Sequence, residues 1–514
     1  MDEGARRASE LRTGAAVNDY MRMVARRRAA GVQELRRTVR FEEFRQVVRR
    51  HRPSVLLPAL AALTVGSGEP FDRPTNLETY PPWAVALAAR ESILWSNEHR
   101  NARFDGDDLR VLFNAHNDLY ESDLPGVSKG VLGLLTRIAF EQFPYGESIF
   151  EEVSRSHAML IDKPANLNLK VLANERSWQL MLGMPLGLAV GATFLLQVAA
   201  NENAGWYDPA WLDRHDLAEI LEQWPRYALD RRLADLSSTF AEFKADYAAA
   251  PKPAAGLERY AYNPLTRRPF VLMPDGRYLA PQPRLILRTI SPGALFPIGK
   301  EVLGDAFAHD LGTLVEAYVG RQLRTLGRPA DVYPEITYGK SHVKSIDWFL
   351  VLPSALVMFE VKSARFGLLE KAAMDGFEER SKGLLNRAVK QLGTTSSALD
   401  AGRAELAHIP KDVPRIGVVV TAEPHYLSNS PWMRDLTISS PFPTLVASLR
   451  EIEKLVTLSV EEVARQLTKI TSDPSRSTWN LGNALQDAAF PRRNPLLEEA
   501  WAAYPLLRQP EHGP

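Results

Sequence analysis

Asp347, Glu360 and Lys362 are the residues of this chain whose types and spacing can do chemistry. Asp347 lies in the run Ser345-Ile346-Asp347-Trp348-Phe349-Leu350-Val351, and Glu360 and Lys362 lie in Val357-Met358-Phe359-Glu360-Val361-Lys362-Ser363. Both runs are apolar and strand-like, and a buried strand normally excludes such charges. Side chains two apart on a strand project to the same face, so Glu360 and Lys362 share one. Pro353-Ser354-Ala355 stands between the runs as the turn that would lay the two strands side by side. An Asp on one strand beside Glu-x-Lys on its neighbour predicts a divalent-metal site with an ammonium next to it. Carboxylates placed in this way can hold Mg²⁺, which polarises a phosphate and lowers the pKa of bound water. The ammonium can orient that water or stabilise the charge that builds on the phosphoryl oxygens. Such chemistry suits hydrolysis of a phosphodiester.

The elements that must position these groups are read from the flanking pattern. Residues 311–323 predict a helix carrying Glu316. The strand with Asp347 follows, then the strand with Glu360. Residues 368–399 predict a long helical stretch that bears Lys390 and Gln391, with a break near Gly383. Residues 415–421 form a short, almost wholly apolar run of the kind found in a sheet covered on both faces, and 445–448 are a candidate for a further strand.

In this order, over residues 304–421, the chain resembles the PD-(D/E)xK, or restriction-endonuclease-like, nucleases. The segment is roughly a quarter of the 514 residues. The resemblance implies a multidomain α plus α/β protein, in which a mostly helical N-terminal region precedes an αβββαβ core with a mixed central sheet. It further implies a Mg²⁺-dependent nuclease, with Mn²⁺ able to substitute. Asp347, Glu360 and the main-chain carbonyl of Val361 would hold the metal. Lys362 would activate or position water, Glu316 would assist from the first helix, and Gln391 would orient the site, with Lys390 as its neighbour. Ile346 stands where the family's first motif carries Pro. By the same resemblance the partner is nucleic acid, DNA ahead of RNA. A homodimer or a partner protein would engage the helical region, and bacterial defence or mobile-element biology would be the setting.

Two other readings stay open from the residues. One is a non-catalytic nucleic-acid-binding or scaffold protein that keeps the fold. The other is a ribonuclease using Arg110 and His116, whose spacing resembles the HEPN-type pair, although Val111 stands where that family prefers a polar residue. Gly126-Val127-Ser128-Lys129-Gly130 has the letters of a hydrolase nucleophile elbow but lacks the preceding buried strand. Lys340, His342 and Lys344, just before the Asp347 run, offer phosphate contacts or an exposed polar loop.

Composition narrows the classes. Lys plus Arg and Asp plus Glu both number 62, so the formal net charge is zero. No global draw to a polyanion exists, and any nucleic-acid site must be a local patch. With 0 Cys, disulfides, thiolate zinc sites and cysteine nucleophiles are excluded, which fits a reducing cytoplasm. No Walker A loop or Gly-x-Gly-x-x-Gly appears, and the histidines lack metal-ligand spacing. The charged N-terminus reads as no signal peptide. The uncharged span 178–200, with Gly187 and Gly191, predicts a buried helix pair divided at Pro185, and no membrane partner.

The length predicts about two to four domains. Residues 1–52 read as a basic helical arm and 53–255 as a helical domain of unassigned role, ending in the small, Pro-rich linker 248–256. Residues 256–300 read as a β-hairpin lead-in, with a turn at Pro274-Asp275-Gly276 and a further strand at 283–288. Residues 301–471 form the nuclease-like domain, and 472–514 an irregular tail.

Overall fold

The computed structural model describes residues 38–65, 80–120, 130–374, 376–490 and 492–504, with Asp19, Arg22 and Met23 besides. Most of the expected basic arm and the whole Gly126–Gly130 motif up to Lys129 lie outside the described residues. The architecture is the expected multidomain α plus α/β type, with two compact units. The chain alternates between them. The first unit holds Met1–Pro125, Glu141–Val153 and Trp178–Leu295, and the second holds Gly126–Phe140, Ser154–Ser177 and Phe296–Pro514.

In the first unit, helices Phe41–Val48, Pro53–Val65, Pro82–Trp95 and Gly106–Asn117 close around Phe44, Leu57, Leu60, Val85 and Phe113. The uncharged span becomes two helices, Glu175–Leu182 and Leu186–Glu202, bent by 42°. Pro185 makes the break, because it lacks an N–H and ends the preceding helix. Gly191 lies where a Cβ would overlap the Trp224 indole, so this glycine serves helix packing in the interior. Among the described residues no single helix is long and apolar enough to cross a membrane.

Three expectations are corrected in this unit. The hairpin forms, as Phe270–Leu272 against Tyr278–Leu279, with Gly276 supplying the left-handed turn residue at φ +88°. It pairs with Trp206–Tyr207 and Ser237–Ser238 in a four-stranded sheet, so it belongs to the helical unit and leads into nothing. The expected strand at 283–288 is a short helix, Leu285–Arg288, opened by the Pro283–Ile286 turn. The linker 248–256 is irregular only from Ala250 on, since Ala248 and Ala249 end the helix Phe240–Ala249, and it lies inside the first unit. Just beyond it, the buried Arg90 guanidinium donates to the carbonyls of Glu258 and Ala261, each at 2.7 Å.

The second unit is built on a five-stranded sheet. Helix α1, Asp305–Arg324, precedes strand β1, Asp331–Pro334. Strands β2, Trp348–Leu352, and β3, Ala355–Lys362, form a hairpin around Pro353-Ser354, with Leu352 opposite Ala355. Helix α2, Phe377–Asp400, leads to β4, Arg415–Thr421, and β5, Thr444–Ser448, follows. Helices α3, Leu449–Leu455, and α4, Val460–Ser472, close the order. The strand order is β5-β4-β3-β2-β1. β2 is antiparallel to both of its neighbours, β1 and β3, while β3, β4 and β5 run parallel, so the sheet is mixed.

One sheet face, through Phe349, Leu356, Met358 and Val419, packs on Leu384, Leu385, Ala388 and Leu392 of α2. Trp348 alternates to the other face, where its indole N–H donates to the Glu316 carbonyl of α1 at 2.9 Å. Gly320 lets α1 approach this closely, since a Cβ there would overlap the Trp348 ring. The break in the helical stretch falls at 372–376, with Gly376 left-handed at φ +94°, and Gly383 stays helical. Within the expected irregular tail 472–514, the described residues include two helices, Leu481–Ala484 and Pro495–Ala502, capped by Asn480 and Asn494.

Candidate functional site

Asp347 directly precedes β2 and is buried, and its Oδ2 accepts a 2.6 Å hydrogen bond from the Val361 N–H of β3. Burial raises the Asp347 pKa, and the Val361 bond and the Lys362 charge oppose that. An N–H and C=O on the same strand residue point to the same side, so the Val361 carbonyl also faces the Asp347 side, beyond the last β2–β3 pair, Trp348 opposite Phe359. Glu360 and Lys362, in contrast, turn their main chains toward β4, where the Ala422 N–H donates to the Lys362 carbonyl.

Glu360 is 1% exposed. Its Oε1 is ion-paired with the Lys362 ammonium, and its Oε2 is buried with no hydrogen-bond partner. Burial and then the Asp347 charge push its pKa up to about 8. Glu316, half-buried on α1, is pushed up to about 7 by burial, Asp347 and Glu335. Its helix reaches the site because Gly312, one turn earlier, lies so near Ser363 that a Cβ would stand 3.1 Å from its Oγ. The structure thus brings together Asp347, Glu360, Lys362 and Glu316, with the Val361 carbonyl directed among them.

Gln391 acts from one remove. Its Nε2 donates to the Ser345 carbonyl at 3.0 Å, and Thr395 Oγ1, one turn along α2, accepts from the Ile346 N–H at 3.0 Å. Together they hold the segment that delivers Asp347. Lys390 is exposed on α2. At the carboxyl ends of β3 and β4, Glu423 binds Arg365 at 2.7 Å and Lys371 at 3.1 Å, tying the two exit loops together.

Two groups join the site that the motif did not name as members. Glu335, just after β1, adds its charge to both Glu316 and Asp347. Lys344 pairs with Glu335 at 3.0 Å and is felt by Glu316 and Asp347 as well. Glu335 sits in an ordinary polar stretch, and only the pairing of β1 with β2 brings it in. Its sole signal was an acidic residue between an expected helix and the Asp347 strand.

Arg110 and His116 form no site. Arg110 is held by Asp107 at 2.8 Å. His116 is 2% exposed and edge-on to Phe44, and burial lowers its pKa to about 3. A neutral, enclosed imidazole reaches no substrate.

Among the described residues no three His, Asp or Glu side chains are clustered closely enough to hold a metal by themselves. The donor set that fits a cation is instead two carboxylates and a carbonyl: Asp347, Glu360 with its partnerless oxygen, and Val361. Oxygen donors of this kind suit a hard divalent ion, and the Asp347 charge that raises the Glu360 pKa would be offset by one. Compared with family models, curated proteins and solved structures, the chain has no match.

Proposed function

We propose that the second unit is a Mg²⁺-dependent nuclease with a restriction-endonuclease-like αβββαβ core, cleaving phosphodiester bonds of DNA ahead of RNA. The observation that carries this reading is the Glu360 carboxylate. One of its oxygens is paired with Lys362, and the other is buried without a partner beside the Asp347 charge. Leaving a buried acceptor unpaired costs about 1–3 kcal/mol, so the chain keeps this arrangement for something the free protein lacks. The order α1, β1, β2, β3, α2, β4 is also the order that such a core requires.

Asp347, Glu360 and the Val361 carbonyl would hold the cation. Bound there, it would polarise a phosphoryl oxygen and lower the pKa of a coordinated water. Lys362 has three N–H donors. One is engaged by Glu360, and the others can orient the attacking water or steady the developing charge. Glu316, its pKa held near neutrality by burial and the neighbouring Asp347 and Glu335 charges, would assist from α1 as a proton acceptor. Gln391 and Thr395 keep Asp347 in place through Ser345 and Ile346.

The test is incubation with linear, circular and single-stranded DNA and with RNA, in Mg²⁺, Mn²⁺ or EDTA, beside Lys362→Ala and His116→Ala. Metal-dependent cleavage lost in Lys362→Ala and kept by a folded His116→Ala is the expected result. Cleavage that survives both EDTA and Lys362→Ala would sink the reading.

A further inference from the structure

Between β1 and β2 the chain leaves the sheet as a separate two-stranded ribbon, Thr337–Tyr338 paired antiparallel with Val343–Lys344. Its sequence, Thr-Tyr-Gly-Lys-Ser-His-Val-Lys, contains two lysines, a histidine and three hydroxyl side chains, and no acid. Lys340, Ser341, His342, Val343 and Lys344 are all exposed. The turn closes through the His342 N–H bonded to the Gly339 carbonyl at 3.1 Å. His342 is left-handed at φ +49°, a conformation that non-glycine residues adopt seldom. Among the described residues Lys340 has no acidic partner.

The base of the ribbon is rigid, and it is also the mounting of the site. Tyr338 is buried in the sheet's core cluster. Ser345 bonds Ile336 in both directions, its N–H to the Ile336 carbonyl at 3.0 Å and its Oγ from the Ile336 N–H at 2.9 Å. Gln391 holds the Ser345 carbonyl, and Thr395 holds the Ile346 N–H. Asp347 is the next residue. Lys344 leans back toward the carboxylates through Glu335 at 3.0 Å, while its side chain stays 68% exposed, with ammonium donors to spare. Cations are therefore set at fixed reach, one beside the acidic site and one at the tip.

We propose that the ribbon Thr337–Lys344 is the arm that grips the phosphodiester backbone of the substrate next to the scissile bond, with Lys344 on a near phosphate and Lys340 on a farther one. This rests on the nuclease reading of the site and adds to it the surface that holds the strand. A site of four carboxylates repels a polyanion, and a chain of zero net charge supplies no general attraction. A local cationic arm removes that obstacle. Phosphate contacts of this kind fix position and carry no sequence preference.

The experiment measures binding of a short labelled DNA duplex, its single strand and the matching RNA, at several salt concentrations in Mg²⁺, with Lys362→Ala as the background so that substrate survives. Lys340→Ala and Lys344→Ala are added singly and together, and Lys340→Arg serves as the charge-keeping variant. Each alanine is expected to lower the slope of log affinity against log salt by about one. The pair should weaken binding about tenfold or more at low salt, and Lys340→Arg should bind like the parent. In the cleaving protein, Lys340→Ala is expected to raise KM and leave kcat near the parent value. Since Lys340 is exposed and has no acidic partner among the described residues, the melting temperature should not move. Parent-like affinity and slope in the double variant, with the unmodified protein still cleaving, would overturn the ribbon and leave the nuclease reading standing. Absence of binding and cleavage on every substrate in the unmodified protein would overturn both. A slope change on RNA alone would support the grip and assign it to RNA.

Discussion

Glu360 bears the largest electrostatic load of any residue at the site, and its behaviour with pH follows from that. Its pKa stands near 8 in the folded protein against 4.5 for an ordinary Glu. Between those values the native state holds more protons than the unfolded chain, so metal-free stability falls as pH rises from about 4.5 toward about 8. Mg²⁺ needs the deprotonated form, so its affinity rises over the same interval. Melting in EDTA and in Mg²⁺ across this range should show a gap that widens with pH, and a flat gap would contradict the assignment. Glu360→Gln removes the charge and keeps the shape. Cleavage should fall on the order of 100-fold or more, while the melting temperature in EDTA near pH 8 should hold or rise. A variant that melts well below the parent under those conditions would mean that Glu360 serves the fold instead.

At the scale of elements, two close contacts decide where the carboxylates stand. Gly320→Ala on α1 would press on the Trp348 indole. Overpacking of this kind costs about 1–3 kcal/mol and should move Glu316, so lower stability in denaturant together with weaker Mg²⁺ binding is expected. Thr395→Val on α2 leaves the buried Ile346 N–H without its acceptor, at about 1–3 kcal/mol. Gln391→Ala frees only the Ser345 carbonyl, so chemical denaturation should show the smaller loss there. These elements also mark what could be read without coordinates. β2 and β3 were legible because Asp347, Glu360 and Lys362 stand out in apolar runs, and β4 because its run is almost wholly apolar. The β-hairpin at 270–279 was legible from its Pro-Asp-Gly turn, but its membership was not. Short strands such as Trp206–Tyr207 carry no period long enough to announce a partner. The same holds for Glu335, which reaches the site by strand pairing and not by any local pattern, whereas Lys344 stood out beside the Asp347 run. The helices past Ser472 went unseen because their Pro and Asn residues, which read as loop, are first-turn and capping residues.

At the scale of the molecule, the second unit is not a C-terminal half. Asp310 on α1 is fully buried, and its carboxylate accepts from the main-chain N–H groups of Lys170, Val171 and Leu172 at 2.7–2.9 Å. Arg155 makes a two-pronged contact with Glu453 at 2.6 and 2.8 Å, and Tyr318 donates to the same carboxylate at 2.7 Å. A fragment beginning at residue 296 would strand two buried carboxylates, a loss of about 3–5 kcal/mol for each broken pair. Expressed alone it should be insoluble or melt far below the full chain, as a soluble-fraction assay and a thermal scan would show. A stable, well-folded fragment would contradict the interleaving. Arg155 and Glu453 are 298 residues apart. Ribosomes add about 5–20 residues per second, so Arg155 waits roughly 15–60 s after its own synthesis for the carboxylate it pairs with. A growing chain therefore cannot close this part of the second unit until Glu453 has been made, so the unit completes its packing late in synthesis.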